Sequence, residues 1–376
     1  MHFLSCGGEL NHHGKYMCDS MFRKLGNDYK RITTDFTNDT RKQLGYKDMA
    51  GEPYNIDGSK FGEEQIKEWI SWADVIDYGS APEAFLHEAV RQNKIVFIRI
   101  ERLLKEGDWK LLVPSVRKKY HRKYTQYQNN KNVYFLCVSG YAASDLKKIG
   151  VFGPRVLQWA YSPMFVEYEK KEIKQQDSPL ELFWCGRLIS WKHPEVAVKI
   201  AELLNRKKID YRMEIAGIGP LTAKIQNLII RKHLQEKVKM IGAVPADRMR
   251  ETMRSKDIFI ATSDRNEGWG VVINEAMNSG CCVVASREMG AVPVLIEDGV
   301  NGYVFSLKEI QKAIDAIKEI SIDRELLAKI GNQAYLTIKN NYSPNVYADA
   351  FVDLAKNAIE GKKPELIGLG EQAVLR

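Results

Sequence analysis

The chain has 376 residues, enough for two domains of ordinary size. With 44% hydrophobic and 28% charged residues it has a globular profile, and it holds no uncharged apolar run of about eighteen residues that could span a bilayer. Its formal charge of +8 is not evenly spread: between Arg91 and Tyr124 eleven Lys and Arg meet three acids, an excess as large as that of the whole chain.

The N-terminus MHFLSCGGELNHHG lacks a basic stretch leading into an apolar one, so no signal peptide is expected. HFLSC (2–6) reads as a first strand, followed by a glycine loop and a helix over Lys15 to Leu25. Gly7 and Gly8 would let backbone approach a phosphate or sugar closely, although a simple tight turn would use the same residues. His12 and His13 in that loop could face an acceptor or a sugar, or be half-exposed and idle. Further strands are expected at 30–33, 75–78, 95–100 and 134–139. ASDLKKIG reads as a short helix closed by Gly150, and VLQWAYSP as a last strand.

The basic stretch LLKEGDWKLLVPSVRKKYHRKYTQY mixes leucine, tryptophan and tyrosine with its cations. Peripheral contact with an anionic membrane through residues 99–127 is one reading and a solvated charged face is another. Such a patch also attracts nucleic acid, but no nucleic-acid-binding motif accompanies it and none is expected as a partner. The six cysteines are scattered without CxxC spacing, and four lie in expected strands. That suits a reducing cytoplasm, with the membrane's inner face as the alternative place.

The expected domains are 1–164, a polar connector at 165–178, a second doubly wound domain at 179–343, and a helix with its tail at 344–376. In the second domain DIFIATS (257–263) has the apolar run of a strand buried on both faces. A loop follows, then VVINEAMNSG as a helix ending at Gly280. Such a strand-loop-helix unit turns free backbone N–H groups towards the space above the sheet and favours an anion there. Two carboxylates, Glu267 and Glu275, flank the turn with seven residues between them. Glu275 in the helix could accept two hydrogen bonds from a cis-diol such as a ribose, and Glu267 could reach a second sugar, or the pair could be a helix cap and a solvated residue. No third ligand at metal spacing accompanies the histidines, and no metal site is expected.

The segment EGWGVVINEAMNSGCCVVAS with GAVPVLIEDGVNGYVF resembles the Glu-x7-Glu signature of family 4 retaining glycosyltransferases. FWCGRLISWKHPEVAVKIAELL, YRMEIAGIGP and VKMIGAVPADRMRETMRSKDIFIATS resemble that family's preceding strands and loops in order. The resemblance covers roughly residues 182–305 and implies an α/β GT-B fold: two Rossmann-like domains facing across a cleft, with the C-terminal helix packing back on the N-terminal one. It further implies a metal-independent transferase taking a hexose from a UDP- or GDP-sugar to a glycan or lipid-linked acceptor in bacterial surface polysaccharide or lipopolysaccharide assembly. No cofactor is implied beyond the sugar donor.

Arg187 and Lys192 match positions that hold the diphosphate, and with Glu267 they are the expected catalytic set. The resemblance also places the donor against Gly186, Gly217, Ala243, Val244, Pro245, Gly268, Trp269, Gly270, Val271, Val272 and Glu275. The N-terminal half departs from the family: where many relatives carry a histidine after the strand IVFIRI, this chain has Glu101 and Arg102. A silent nucleotide-sugar-binding subunit and a GT-B epimerase or phosphorylase remain alternatives.

Overall fold

In the computed structural model, which describes residues 1–35, 49 and 51–364, the chain divides into two compact units. Unit 1 comprises 1–164 with 341–376, and unit 2 comprises 165–340. In unit 1, β1 (Phe3–Gly7) leads to α1 (Lys15–Leu25), β2 (Tyr29–Thr33), β3 (Asn55–Asp57), α2 (Glu63–Trp72), β4 (Val75–Tyr78), α3 (Glu83–Arg91) and β5 (Ile95–Ile100). Then follow α4 (Pro114–Thr125), β6 (Val133–Val138), α5 (Ala142–Lys148) and β7 (Val156–Trp159). These strands form one parallel sheet in the order β3-β2-β1-β4-β5-β6-β7. Leu4, Ile76, Ile98 and Phe135 belong to its buried core. One charge interrupts each of the neighbouring strands β4 and β5, and the two answer one another: Arg99 grips Asp77 at 2.6 and 2.7 Å while Ser5 donates to the same carboxylate at 2.9 Å. Such burial is tolerable because each charge is paired and hydrogen-bonded.

Unit 2 repeats the design. Its elements are β8 (Leu180–Cys185), α6 (Pro194–Arg206), β9 (Tyr211–Ala216), α7 (Thr222–Arg231), β10 (Val238–Gly242), α8 (Ala246–Arg254), β11 (Ile258–Ala261) and α9 (Val272–Asn278). They continue as β12 (Cys282–Ser286), α10 (Val292–Leu295), β13 (Tyr303–Phe305), α11 (Gln311–Ile322) and α12 (Arg324–Thr337). The sheet runs β10-β9-β8-β11-β12-β13, all parallel. The order reverses between β8 and β11, so the loops leaving their carboxyl ends diverge and open a crevice, the place where such sheets bind ligands. α6 buries Ala197, Val198, Ile200, Ala201 and Leu204, a stripe at helical spacing, against the core.

The last element, α13 (Pro344–Ile359), belongs to unit 1. It places Phe351 among Phe3, Phe97 and Trp159, with ring centroids 4.9, 5.2 and 5.0 Å away. The expected return of the final helix to the N-terminal domain is therefore present. The expected connector differs: residues from 165 onward are already part of unit 2. Val166 N–H donates to Asn278 Oδ1 at 2.9 Å and Tyr168 N–H to the Tyr335 hydroxyl at 3.2 Å, anchoring this polar stretch. The short polar strand β3 and the helices α2 and α3 add to the elements expected from sequence. Among the described residues no helix is long and apolar enough to cross a membrane.

Candidate active site in unit 2

The site forms where β8 and β11 diverge. After β8 the chain passes Gly186, Arg187 and a single 3₁₀ turn at Ser190–Lys192 before α6 begins. After β11 it forms the loop 262–271 that carries Glu267. The two loops are stitched together. Thr262 Oγ1 donates to the Lys192 carbonyl at 2.7 Å and receives the Trp184 indole N–H at 2.8 Å, while Asp264 N–H donates to the Trp191 carbonyl at 2.9 Å. With this backing, the Lys192 ammonium forms an ion pair with the Glu267 carboxylate.

His193 tightens the same seam. It stands in the left-handed region with φ of 47°, and its Nδ1 lies 2.9 Å from Glu195 and its Nε2 3.0 Å from Asp264. Burial acts against the charged imidazole, but its hydrogen bonds to the two carboxylates outweigh it, so the pKa of His193 is raised. Asp264 in turn accepts the backbone and side-chain N–H groups of Asn266 at 2.8 and 3.0 Å.

Glu275 lies one turn into α9, with Asn278 on the same helix. Burial pushes the Glu275 carboxyl up, and the Arg250 guanidinium, 3.9 Å away, draws it back. Arg250 is only 6% exposed and also donates to Asn278 Oδ1 at 2.8 Å. Arg187 is exposed, with its guanidinium carbon 5.7 Å from the centre of the Trp191 ring. The region thus holds Arg187 and Lys192 on one loop, Glu267 on the second and Glu275 on the helix that follows. Cations beside a crevice suit a diphosphate, and a half-buried carboxylate suits a diol.

Other residues expected at the site fall into distinct classes. Gly186 and Gly217 face one another: a β-carbon on Gly217 would lie 1.9 Å from the Gly186 carbonyl oxygen, and Gly217 has φ of 133°. Local loop packing alone accounts for that glycine. Ala243, Val244 and Pro245 follow β10 in an exposed or half-exposed loop. Gly268 and Gly270 flank Trp269, which is 2% exposed and whose indole donates to Asn274 Oδ1 at 2.8 Å. The Trp269 carbonyl accepts from Ala291 N–H at 2.9 Å, so this residue is tied into the core by both ring and backbone. Val271 and Val272 open α9, where the first N–H groups have no acceptor within the helix.

Gly7 and Gly8 lie in unit 1 at the end of β1. Gly8 N–H donates to Ser80 Oγ at 3.1 Å, and Arg31 reaches the Gly8 carbonyl at 3.3 Å, so these glycines already have protein partners. The rings of His12 and His13 lie with centres 3.9 Å apart, tilted 50° to one another. Glu101 accepts from the Tyr161 hydroxyl at 2.7 Å, and Arg102 lies over the Tyr141 ring. Among the described residues no group of three or more His, Cys, Asp or Glu could hold a metal. Sequence reasoning missed Arg250, His193, Asp264 and Trp191. Of these His193 carried a sequence signal, its place beside Lys192.

Residues 166–337 match the family described as glycosyl transferases group 1. Unit 2 is a group 1 glycosyl transferase domain. A relative named as a colanic acid biosynthesis glycosyltransferase, WcaL of Salmonella typhimurium, is 25% identical over 214 residues, covering 55% of this chain and 52% of WcaL. The amylovoran biosynthesis glycosyltransferase AmsK of Erwinia amylovora is 31% identical over 149 residues, 38% of this chain and 36% of AmsK. The chain thus spans about half or less of the length of these relatives. Among solved structures, Anabaena Alr3699/HepE in complex with UDP superposes with a TM-score of 0.68 at 16% identity, covering 95% of this chain and 100% of that one. Two parallel-sheet Rossmann-like units in this order are the GT-B fold of glycosyltransferases.

Proposed function

We propose that the chain is a configuration-retaining hexosyltransferase that moves a hexose from a UDP- or GDP-sugar to a glycan or lipid-linked oligosaccharide in the assembly of a bacterial polysaccharide. The observation that carries this reading is the convergence of Lys192, Glu267 and Glu275 on loops and a helix that follow β8 and β11, with Arg250 of α8 set against Glu275. The names of WcaL and AmsK support the polysaccharide setting, and UDP in the HepE complex supports a nucleotide donor. A place on the inner face of a membrane, where a lipid-linked acceptor would sit, belongs to the same reading.

Chemically, the bond between the anomeric carbon and the diphosphate oxygen breaks while the acceptor hydroxyl oxygen bonds to that carbon. Its proton passes to the leaving phosphate on the same face, so configuration is kept and no protein base is required. Arg187 and Lys192 offset the charge that grows on the diphosphate, without a metal ion. Glu275 receives the ribose hydroxyls. Glu267, held by Lys192 in the free protein, is released towards sugar hydroxyls when the diphosphate takes over the ammonium.

The test is calorimetric titration with UDP, GDP, ADP and NAD in metal-free buffer. One nucleoside diphosphate should bind selectively, and Glu275→Ala should weaken it by about 1.5–3 kcal/mol, the range for a hydrogen bond to a charged group. Arg187→Ala should lower turnover by about two orders of magnitude, the loss of one preorganised charge at the transition state. Binding of NAD alone, or release of free sugar or sugar phosphate in place of a glycoside, would overturn the reading.

A further inference from the structure

The basic stretch 99–127 separates into two parts with opposite surroundings. Arg99 is committed to Asp77, Lys110 pairs with Glu106 at 2.8 Å, and Lys123 pairs with Glu83 at 2.6 Å. Tyr120 and Tyr124, four residues apart on α4, pack against the unit 1 core, and Tyr127 is buried. None of these is available to a partner. Arg117, Lys118, Lys119 and Arg122 are exposed, with no ion partner among the described residues. Helical spacing puts Lys118, Lys119 and Arg122 on the face turned away from Tyr120 and Tyr124, while Arg117, one turn before Tyr120, is exposed at the start of the helix. The nearby acids do not offset them, since Glu106 is paired with Lys110 and Asp108 with Lys148 at 2.6 Å.

Directly before α4, a 3₁₀ turn (Asp108–Leu112) raises apolar groups beside that cationic face. Trp109 is 56% exposed, Leu112 82% and Val113 37%. The Trp109 indole N–H donates to the Glu106 carbonyl at 2.8 Å, so the polar edge of the ring is satisfied within the protein and its apolar surface is what solvent meets. Between turn and helix lies a groove of about 420 Å³, lined by Leu111, Leu112, Pro114, Arg117, Lys118 and His121. A solvated charged face has no use for a tryptophan, a leucine and a valine side by side, and a nucleic-acid duplex would be met by the cations while Leu112 and Val113 stayed in water. A bilayer interface uses both at once, burying the apolar groups at the headgroup boundary while phosphates meet the cations.

We infer that the 109–113 turn and the adjoining face of α4 form a docking surface for an anionic lipid bilayer, with Trp109 and Leu112 entering the interface and Arg117, Lys118, Lys119 and Arg122 meeting lipid phosphates. The surface lies wholly in unit 1 and does not depend on what unit 2 transfers.

The experiment is co-sedimentation of the full chain with vesicles of phosphatidylcholine alone, and with about one third phosphatidylglycerol, at low and raised salt. The wild type should sediment with the anionic vesicles only, and less so as salt rises. Replacing Arg117, Lys118, Lys119 and Arg122 by Gln should weaken binding by two orders of magnitude or more, at about fivefold per cation. Trp109→Ser with Leu112→Ser should weaken binding in a manner that salt does not reproduce. These positions are exposed, so melting temperature and UDP or GDP binding should match wild type, which separates loss of docking from loss of fold or of the donor site. Absence of vesicle binding by the wild type, equal binding to neutral vesicles, unchanged binding by the four-site variant, or binding to duplex DNA in place of vesicles would each overturn the inference.

Discussion

At the scale of single residues, the site is governed by close approaches that leave little freedom. Gly217 is the tightest: its α-carbon packs on the Gly186 carbonyl in a backbone conformation that side chains avoid. Gly217→Ala should therefore cost about 2–4 kcal/mol by shifting the loops after β8 and β9, read as a lower urea midpoint. Nucleotide affinity should fall with it. His193 gives a prediction in pH. Its pKa is raised in the folded state, so its contribution to stability is complete below the unfolded value of about 6.5 and is lost as pH rises through the folded value. Urea unfolding from pH ~6 to ~8 should show this decline, and His193→Gln should flatten that part of the curve. Arg187, Lys192, Glu267 and Glu275 were legible because their order and spacing carry a resemblance. His193 stood beside Lys192 in the sequence, but its partners were not legible, since a left-handed backbone turn brings Asp264, 71 residues away, within reach of its ring.

At the scale of elements, the reversal in sheet order decides where ligands can sit, and α9 and α8 decide how Glu275 is held. Arg250 is the one cation set against the buried Glu275 carboxyl within 4 Å among the described residues, at 3.9 Å. Arg250→Met should destabilise unit 2 by about 3 kcal/mol near neutral pH, as removing one member of a buried pair does. The cost should be smaller at pH ~4, below the ordinary glutamate value, because burial raises the Glu275 carboxyl further and a protonated carboxyl needs no counter-charge. Denaturant midpoints at the two pH values check this. Arg250 escaped sequence reading because ADRMRETMR carries three arginines, and its two methionines do not mark which arginine turns inward. The parallel strands were readable as apolar runs, whereas β3, with Asn55 and Asp57 around Ile56, has no such pattern and exists because β2 offers it an edge. The basic stretch was read as one surface, but only its contacts show that half of it is spent on ion pairs and core packing.

At the scale of the whole molecule, unit 1 is discontinuous, built from two stretches with all of unit 2 between them. Its core is closed by α13, so Phe351→Ala should cost unit 1 about 3–5 kcal/mol. Hydrogen exchange should then show lost protection in β1 and β5 and unchanged protection in β8 and β11. The same arrangement sets an order of events during synthesis. The sheet of unit 1 is made first but stays open on its α13 side until residues 344–359 have been translated, while unit 2 can close as soon as its own residues have left the ribosome. Closure of unit 2 also draws its two ends together, through the ion pair of Glu167 with Lys339 and the bond from Tyr168 to Tyr335. A loop of some 176 residues is thereby reduced to a short staple before α13 has to find its groove, and the entropy of that search is largely removed in advance. Unit 2 thus acts as a folding template for the domain that surrounds it in sequence.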